Sequence, residues 1–370
     1  MRFLDKVYWV YKTGRAVPRA VRGSGLEDFF ARQTAPTWEP PRGFAPVGEL
    51  TVSAAGDLMS HPYLAASSAC LYAEVADDIF GADVAMANLE CVVTTRGGGP
   101  LQIDAKSGPQ LRFDPQTFDV VSGFRDRRFA FLATACNHSL DYGEEGVSST
   151  IGALRDRGVA FHGMNETEAD AERAAVVEKN GVRIGIVAHT FGLNAYRPPL
   201  GRRRIVNRIR LNGPLDRVDF DQIDAQIRHC REEAVDFLVA QLHWGFEYEM
   251  YPRPEQVEVA HALAERGVDA IVGHHPHVLQ PVEYYRTRRD PRRVVPIFYS
   301  LGNLTNPFSA AYACRSGVAR LALMKGALDG ATVTYVVSAD VLPIDQEVHG
   351  SRLRLRRALP GGHLARPTWA

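Results

Sequence analysis

The chain has 370 residues, and its 43 basic and 43 acidic side chains cancel. That balance excludes a global attraction to nucleic acid or to a strongly acidic partner, and a chain of this length buries a large core without staples. Five scattered cysteines with no CxxC pair argue against a disulfide framework and for a reducing compartment.

Residues 1–47, rich in Arg, Pro and aromatics without a sustained period, read as an N-terminal extension. No stretch approaches the ~18 apolar residues of a membrane span, and the N-terminus has no apolar core of signal-peptide length. These features predict a cytoplasmic protein with no membrane span. From Glu49 the pattern becomes strand, turn and helix in repetition. Leu50–Gly56 is a strand ending at Asp57, Tyr63–Phe80 reads as a helix, and Asp83–Ala87 is a strand ending at Asn88 and Glu90. Asp114 followed by Pro115 signals the start of a helix. Phe129–Ala135 is a buried strand ending at Asn137 and His138, and Glu144–Arg157 is a helix stopped by Gly158.

Two strands then flank Asn180-Gly181, a strong hairpin signal, and the second ends at His189. Asp221–Glu233 is an amphipathic helix. Phe237–Leu242 is a strand ending at His243, and Pro254–Arg266 a helix closed by Gly267. Asp269–Val272 is a short apolar strand, after which His274, His275 and His277 crowd one turn. Pro276 stiffens that turn by fixing its own φ and restricting the residue before it. Val294–Ser300 is a strand ending at Gly302-Asn303, and a second hairpin surrounds Asp329-Gly330. We take 48–342 as the main domain and 343–370 as a basic tail. Parallel β/α units mixed with hairpins imply a mostly parallel α/β core with antiparallel strands added.

In such sheets, sites form beyond the carboxyl ends of the strands. Seven strand ends here carry Asp, Asn, Glu or His. Asp57, Glu90, Asn137, His243, His275 and His277 form a ligand set of oxygens and imidazole nitrogens without thiolate, which suits Mn, Fe or Zn. Six ligands exceed what one catalytic ion with an open position takes. They fit two divalent transition-metal ions sharing a carboxylate, a pair that can activate a water and clamp the oxygens of a phosphoryl displacement. His138 is then a general acid for the leaving oxygen, with Asp141 as its orienting partner. Asn88, His189 and Asn303 are candidates to line the substrate or orient a ligand. His274 is expected to point away from its neighbours.

The motifs Gly56-Asp-Leu-Met59, Asn88-Leu-Glu90, Asn137-His-Ser-Leu-Asp-Tyr-Gly143, His243-Trp-Gly-Phe-Glu-Tyr248, His275-Pro-His-Val-Leu-Gln-Pro281 and Tyr299-Ser-Leu-Gly-Asn303 together resemble the CapA family. This is the capsule and poly-γ-glutamate biosynthesis group within the calcineurin-like metallophosphoesterases. The resemblance runs from about Gly48 to Leu342 and implies a four-layer α/β/β/α sandwich with a dinuclear metal centre. Met59 stands where a ligand His sits in the wider superfamily. The expected function is metal-dependent hydrolysis of a phosphomonoester or phosphodiester. The alternative is a non-hydrolytic, metal-containing component of a polyglutamate or capsule synthesis assembly that binds an anionic polymer.

Overall fold

The computed structural model describes residues 11–12, 14–97, 102–104, 108–307 and 311–358. Along its strands, apolar side chains alternate between two faces, as the period of two demands. On β1 (Ala45–Leu58), Leu50, Val52 and Ala54 enter one core while Ala55 and Leu58 enter another. The strand Phe237–His243 does the same, with Phe237 and Val239 on one side and Leu238, Ala240 and Leu242 on the other. The first set from each strand meets in a single core between two sheets.

In the first sheet β1, β2 (Val84–Leu89), β3 (Phe131–Ala133) and β4 (Ala160–His162) lie parallel in the order β4-β3-β2-β1. The chain then forms a second sheet from β5 (Ala175–Lys179), β6 (Val182–Thr190), β7 (Phe237–His243), β8 (Ala270–His274), β9 (Val282–Arg286) and β10 (Val294–Phe298). Their order is β5-β6-β7-β8-β10-β9, with β6, β7, β8 and β10 parallel. It returns to the first sheet as the antiparallel strands β11 (Arg315–Leu328), β12 (Ala331–His349) and β13 (Arg352–Arg357), beside β1. Both expected hairpins form, at Asn180 (φ 51) with Gly181 (φ 73) and at Asp329 (φ 51) with Gly330 (φ 80).

Helices cover the outer faces. The short helix α1 (Leu26–Ala31) sends Leu26 and Phe30 into the core outside the second sheet. Residues of α2 (Ala76–Phe80), α3 (Pro115–Val121) and α4 (Gly143–Asp156) pack outside the first sheet. Asp114 caps α3 by accepting from the backbone of Gln116 and Thr117, with Pro115 at the first position. On the other side α5 (Asp221–Glu232) and α6 (Pro254–Arg266) cover the second sheet. The architecture is a four-layer α/β/β/α sandwich.

Two stretches differ from the sequence reading. Tyr63–Phe80 is a string of turns, a 3-10 segment at Ala65–Ser67 and the short α2. Ser67 Oγ donates to Tyr63 O and accepts from Leu353 N, so contact with β13 overrides helical propensity there. The first sheet also continues past residue 342, through the end of β12 and all of β13, where Leu353 and Leu355 are buried between exposed arginines. Residues 359–370 of the expected tail, and 1–10 and 13 of the expected extension, lie outside the described residues. Of that extension, Phe30 is seated edge-on against Tyr299. No helix among the described residues is long and apolar enough to cross a membrane.

Two glycines permit close backbone approach near the ends of the strands, Gly56 across the two sheets and Gly273 within the second. A Cβ on Gly56 would lie 2.0 Å from Gly302 O, and one on Gly273 would lie 2.0 Å from Tyr299 O. The approach lets Asp57 N donate to Gly302 O at 2.9 Å and Leu304 N donate to Asp57 O at 2.9 Å. The carboxyl ends of the parallel strands of both sheets therefore open on one place.

Candidate metal centre

Asp57 is the penultimate residue of β1, Asn88 lies in β2 with Glu90 two residues on, and Asn137 and His138 follow β3. His243 ends β7, and His275 and His277 follow β8. All are buried. His243 Nε2 lies 2.8 Å from Asn137 Oδ1 and 3.6 Å from Glu90 Oε1. His277 Nε2 lies 3.8 Å from Glu90 Oε1, and His277 Nδ1 lies 3.6 Å from Asp57 Oδ2. Three sets of side chains bring ligand atoms within 4.8 Å of one another: Glu90, His243 and His275; Asp57, Glu90 and His277; and Glu247, His275 and His277. The first two share Glu90.

The turn carrying the histidines is strained, with φ 95 at His275 and 59 at His277. Positive φ on a non-glycine residue costs on the order of 1–3 kcal/mol and persists only where the surroundings impose it. Here His275 N donates to Asp57 Oδ2 at 3.2 Å, and Pro276 O accepts from Tyr248 N at 2.8 Å. His277 Nδ1 and Asn303 Oδ1 are 2.8 Å apart, which fixes the ring of His277 from behind. Asn88 Nδ2 lies 2.9 Å from Asp57 Oδ1 and 3.3 Å from His243 Nδ1, bridging two candidate ligands.

Both oxygens of Glu90 are buried without a hydrogen-bond partner. Burial, reinforced by neighbouring Asp57, pushes its carboxyl well above the usual range. A buried carboxylate in that condition is costly unless a cation faces it, so the donors present fit a divalent metal. Burial works to raise Asp57 as well, but contacts from His274 and His277 outweigh it and hold that carboxyl well below its usual range. Burial depresses His243 and His275 well below the ordinary imidazole value, keeping both in the neutral form that ligates metals. His277 goes the other way: burial lowers it, and the carboxylates of Asp57 and Glu247 more than reverse this.

Beside the cluster, His138 Nδ1 pairs with Asp141 Oδ2 at 2.7 Å. The loop after β6 roofs the site. Phe191 stacks on His243 at 6.4 Å with rings 5° apart, and its ring lies 4.6 Å from that of His275.

Sequence reasoning missed two side chains at the site, Glu247 and Asn194, and did not foresee the faces of His274 and His189. Glu247 comes within 3.9 Å of His277 Nε2 from the loop after β7, where no strand end marks it. Asn194, in the loop after β6, contacts both Asn137 and His138. His274 does not point away: its Nδ1 lies 3.0 Å from Asp57 Oδ1, because β8 extends to His274 and the alternation that turns Val272 inward turns His274 inward too. His189 falls on the opposite face. Ala188 faces the inter-sheet core, so His189 turns outward, where its Nε2 meets Gln226 Oε1 of α5 at 2.8 Å.

A family model described as bacterial capsule synthesis protein PGA_cap matches residues 51–307. The PGA biosynthesis protein CapA of Bacillus subtilis (strain 168) is 32% identical over 186 residues, 50% of this chain and 44% of that protein. The capsule biosynthesis protein CapA of Bacillus anthracis is 31% identical over 185 residues, with 42% of its length covered. The matched stretch thus spans less than half of these two relatives. A probable polyglutamine synthesis accessory protein of Mycobacterium tuberculosis is 26% identical over 278 residues, 75% of this chain and 68% of that protein. Among solved structures, TT1561 of Thermus thermophilus overlaps 78% of this chain and 99% of its own, at 11% identity and a TM-score of 0.37.

Proposed function

The chain belongs to the bacterial capsule synthesis protein PGA_cap family, and from that premise we propose that it is a metal-dependent phosphoester hydrolase acting in capsule or polyglutamate synthesis. The observation that carries the proposal is Glu90, a buried carboxylate with two unpartnered oxygens at the junction of two histidine-containing groups, one of them with Asp57. Asp57, Glu90, Asn137, His243, His275 and His277 would hold two divalent ions of Mn, Fe or Zn, with Glu90 shared and Glu247 at the rim. When bound, such ions supply Lewis acidity and neutralise charge at a phosphoryl centre.

The remaining work falls to the chain itself. Asp141 holds His138 Nδ1, which leaves Nε2 to deliver a proton to the leaving oxygen. Asn303 keeps the His277 ring in one orientation, and Asn88 spaces Asp57 from His243. Phe191 shields His243 and His275 from water, which strengthens every electrostatic contact beneath it. The names of the relatives favour a second reading, a non-hydrolytic component that holds an anionic polymer at the metal site.

Hydrolysis of an alkyl and a nitrophenyl phosphoester by the Mn2+-loaded chain separates the two readings. Turnover lost in a Glu90→Gln variant supports the hydrolase. Tight metal binding with no turnover of mono- or diesters would leave only the non-hydrolytic reading.

A further inference from the structure

The loop that roofs the site is pinned at Leu193, which is buried in the inter-sheet core. Tyr196 N donates to Leu193 O at 2.7 Å, and the two residues between them, Asn194 and Ala195, have φ 47 and 68. Positive φ at both central positions is the type I′ arrangement, and Asn is suited to it because its side chain tolerates left-handed backbone. The turn holds the Asn194 carboxamide against the cluster. Asn194 Oδ1 accepts from Asn137 Nδ2 at 3.1 Å, and Asn194 Nδ2 lies 3.5 and 3.4 Å from the two ring nitrogens of His138.

A carboxamide places an oxygen and an NH2 at nearly equivalent positions, so Asn137 alone does not decide which of them faces the cluster. Only the oxygen can serve a cation. The turn sets Asn194 with its carboxamide nitrogen beside the His138 ring and its oxygen on Asn137 Nδ2. Asn137 Oδ1 is left pointing inward, 2.8 Å from His243 Nε2.

We infer that Asn194 is a positioning residue whose carboxamide selects the oxygen-inward orientation of Asn137 and so prepares it as a metal ligand. The inference rests on the reading of Asn137 as a ligand. Partners that orient ligands in this way are worth roughly 10–100-fold in metal affinity.

The test is Mn2+ affinity of the metal-stripped full chain, measured by equilibrium dialysis. Asn194→Gly removes the carboxamide while suiting the positive φ of the turn. It should weaken Mn2+ binding roughly 10–100-fold. In an Asn137→Asp background the same change should cost less than about threefold, because a carboxylate offers an oxygen whichever way it is turned. An equal cost in both backgrounds, or none in the wild-type background, would overturn the inference. A wild-type chain that bound no Mn2+ would instead overturn the reading of the site on which it rests.

Discussion

His138 Nδ1 and Asp141 Oδ2 stand 2.7 Å apart across a single turn, and the same carboxylate oxygen accepts from Leu111 N at 2.7 Å. Asp141 is thereby fixed by backbone before it fixes the imidazole. The arrangement is that of an imidazole held by an orienting carboxylate, with the other ring nitrogen directed elsewhere.

From this pair, His138→Ala should lose roughly 10²–10⁴-fold in kcat while keeping its metals, the range for removing one general acid. The loss should be larger for an alkyl than for a nitrophenyl phosphoester, because an acidic phenol leaves with little help. Asp141→Asn should fall between wild type and His138→Ala. If the His138 variant emptied of metal, His138 would be a ligand and its assigned role wrong.

The metal site predicts its own loading. Purified protein should carry about one to two transition-metal ions per chain, as three- to four-ligand groups sharing Glu90 would hold them. The double variant His275→Ala/His277→Ala should lose most of that metal, because one or both residues enter every candidate group. Elemental analysis that found equal metal in both proteins would end the proposal of a metal centre here.

Much of this site could be read from the chain because strands impose a period of two and parallel sheets gather their carboxyl ends. Asp57, His243 and the turn after β8 each sit at a strand end, and the two sheets bring those ends together. What could not be read depended on contacts distant in sequence. Glu247 reaches His277 through a loop whose path is set by Tyr248, at φ 63, bonding to Pro276 O. Asn194 depends on a tight turn with no glycine to announce it. For His189 a strand end gives the residue's position but not its face, and only the register with Ala188 decides that. In Tyr63–Phe80 the apolar spacing suited a helix, and β13, nearly 300 residues away, determined otherwise.

The cysteines test the proposed cytoplasmic placement. No disulfide joins any two of them among the described residues, and Cys91, Cys136 and Cys230 are buried. Thiol titration of the denatured, unreduced protein should count five. A count of three or fewer would point to a disulfide and to an oxidising compartment.

A final prediction concerns acid stability and lies away from the metal site. His162, at the end of β4, is buried with both ring nitrogens engaged: Nε2 donates to Arg173 O at 2.7 Å, and Nδ1 accepts from Ala188 N at 2.7 Å. A second proton would have to go on Nδ1, where it would meet the Ala188 N–H. Burial accordingly pushes the imidazole from 6.5 down to about 4. As pH falls below 6.5 the unfolded chain takes up this proton and the folded chain does not, so stability drops until the folded form also titrates near 4. Full stability is present above 6.5, and the loss across that window is about 3 kcal/mol from this one group. His162→Gln keeps a donor for Arg173 O and has no proton to gain. It should be less stable than wild type at neutral pH, yet lose about 2–3 kcal/mol less between about pH 7.5 and 4.5. Urea unfolding at the two pH values measures this directly. His189, pushed down to about 3 chiefly by burial, stays neutral in the folded chain across this window and so does not mimic the effect. Equal acid losses in the two proteins would mean that His162 is not the group that senses pH.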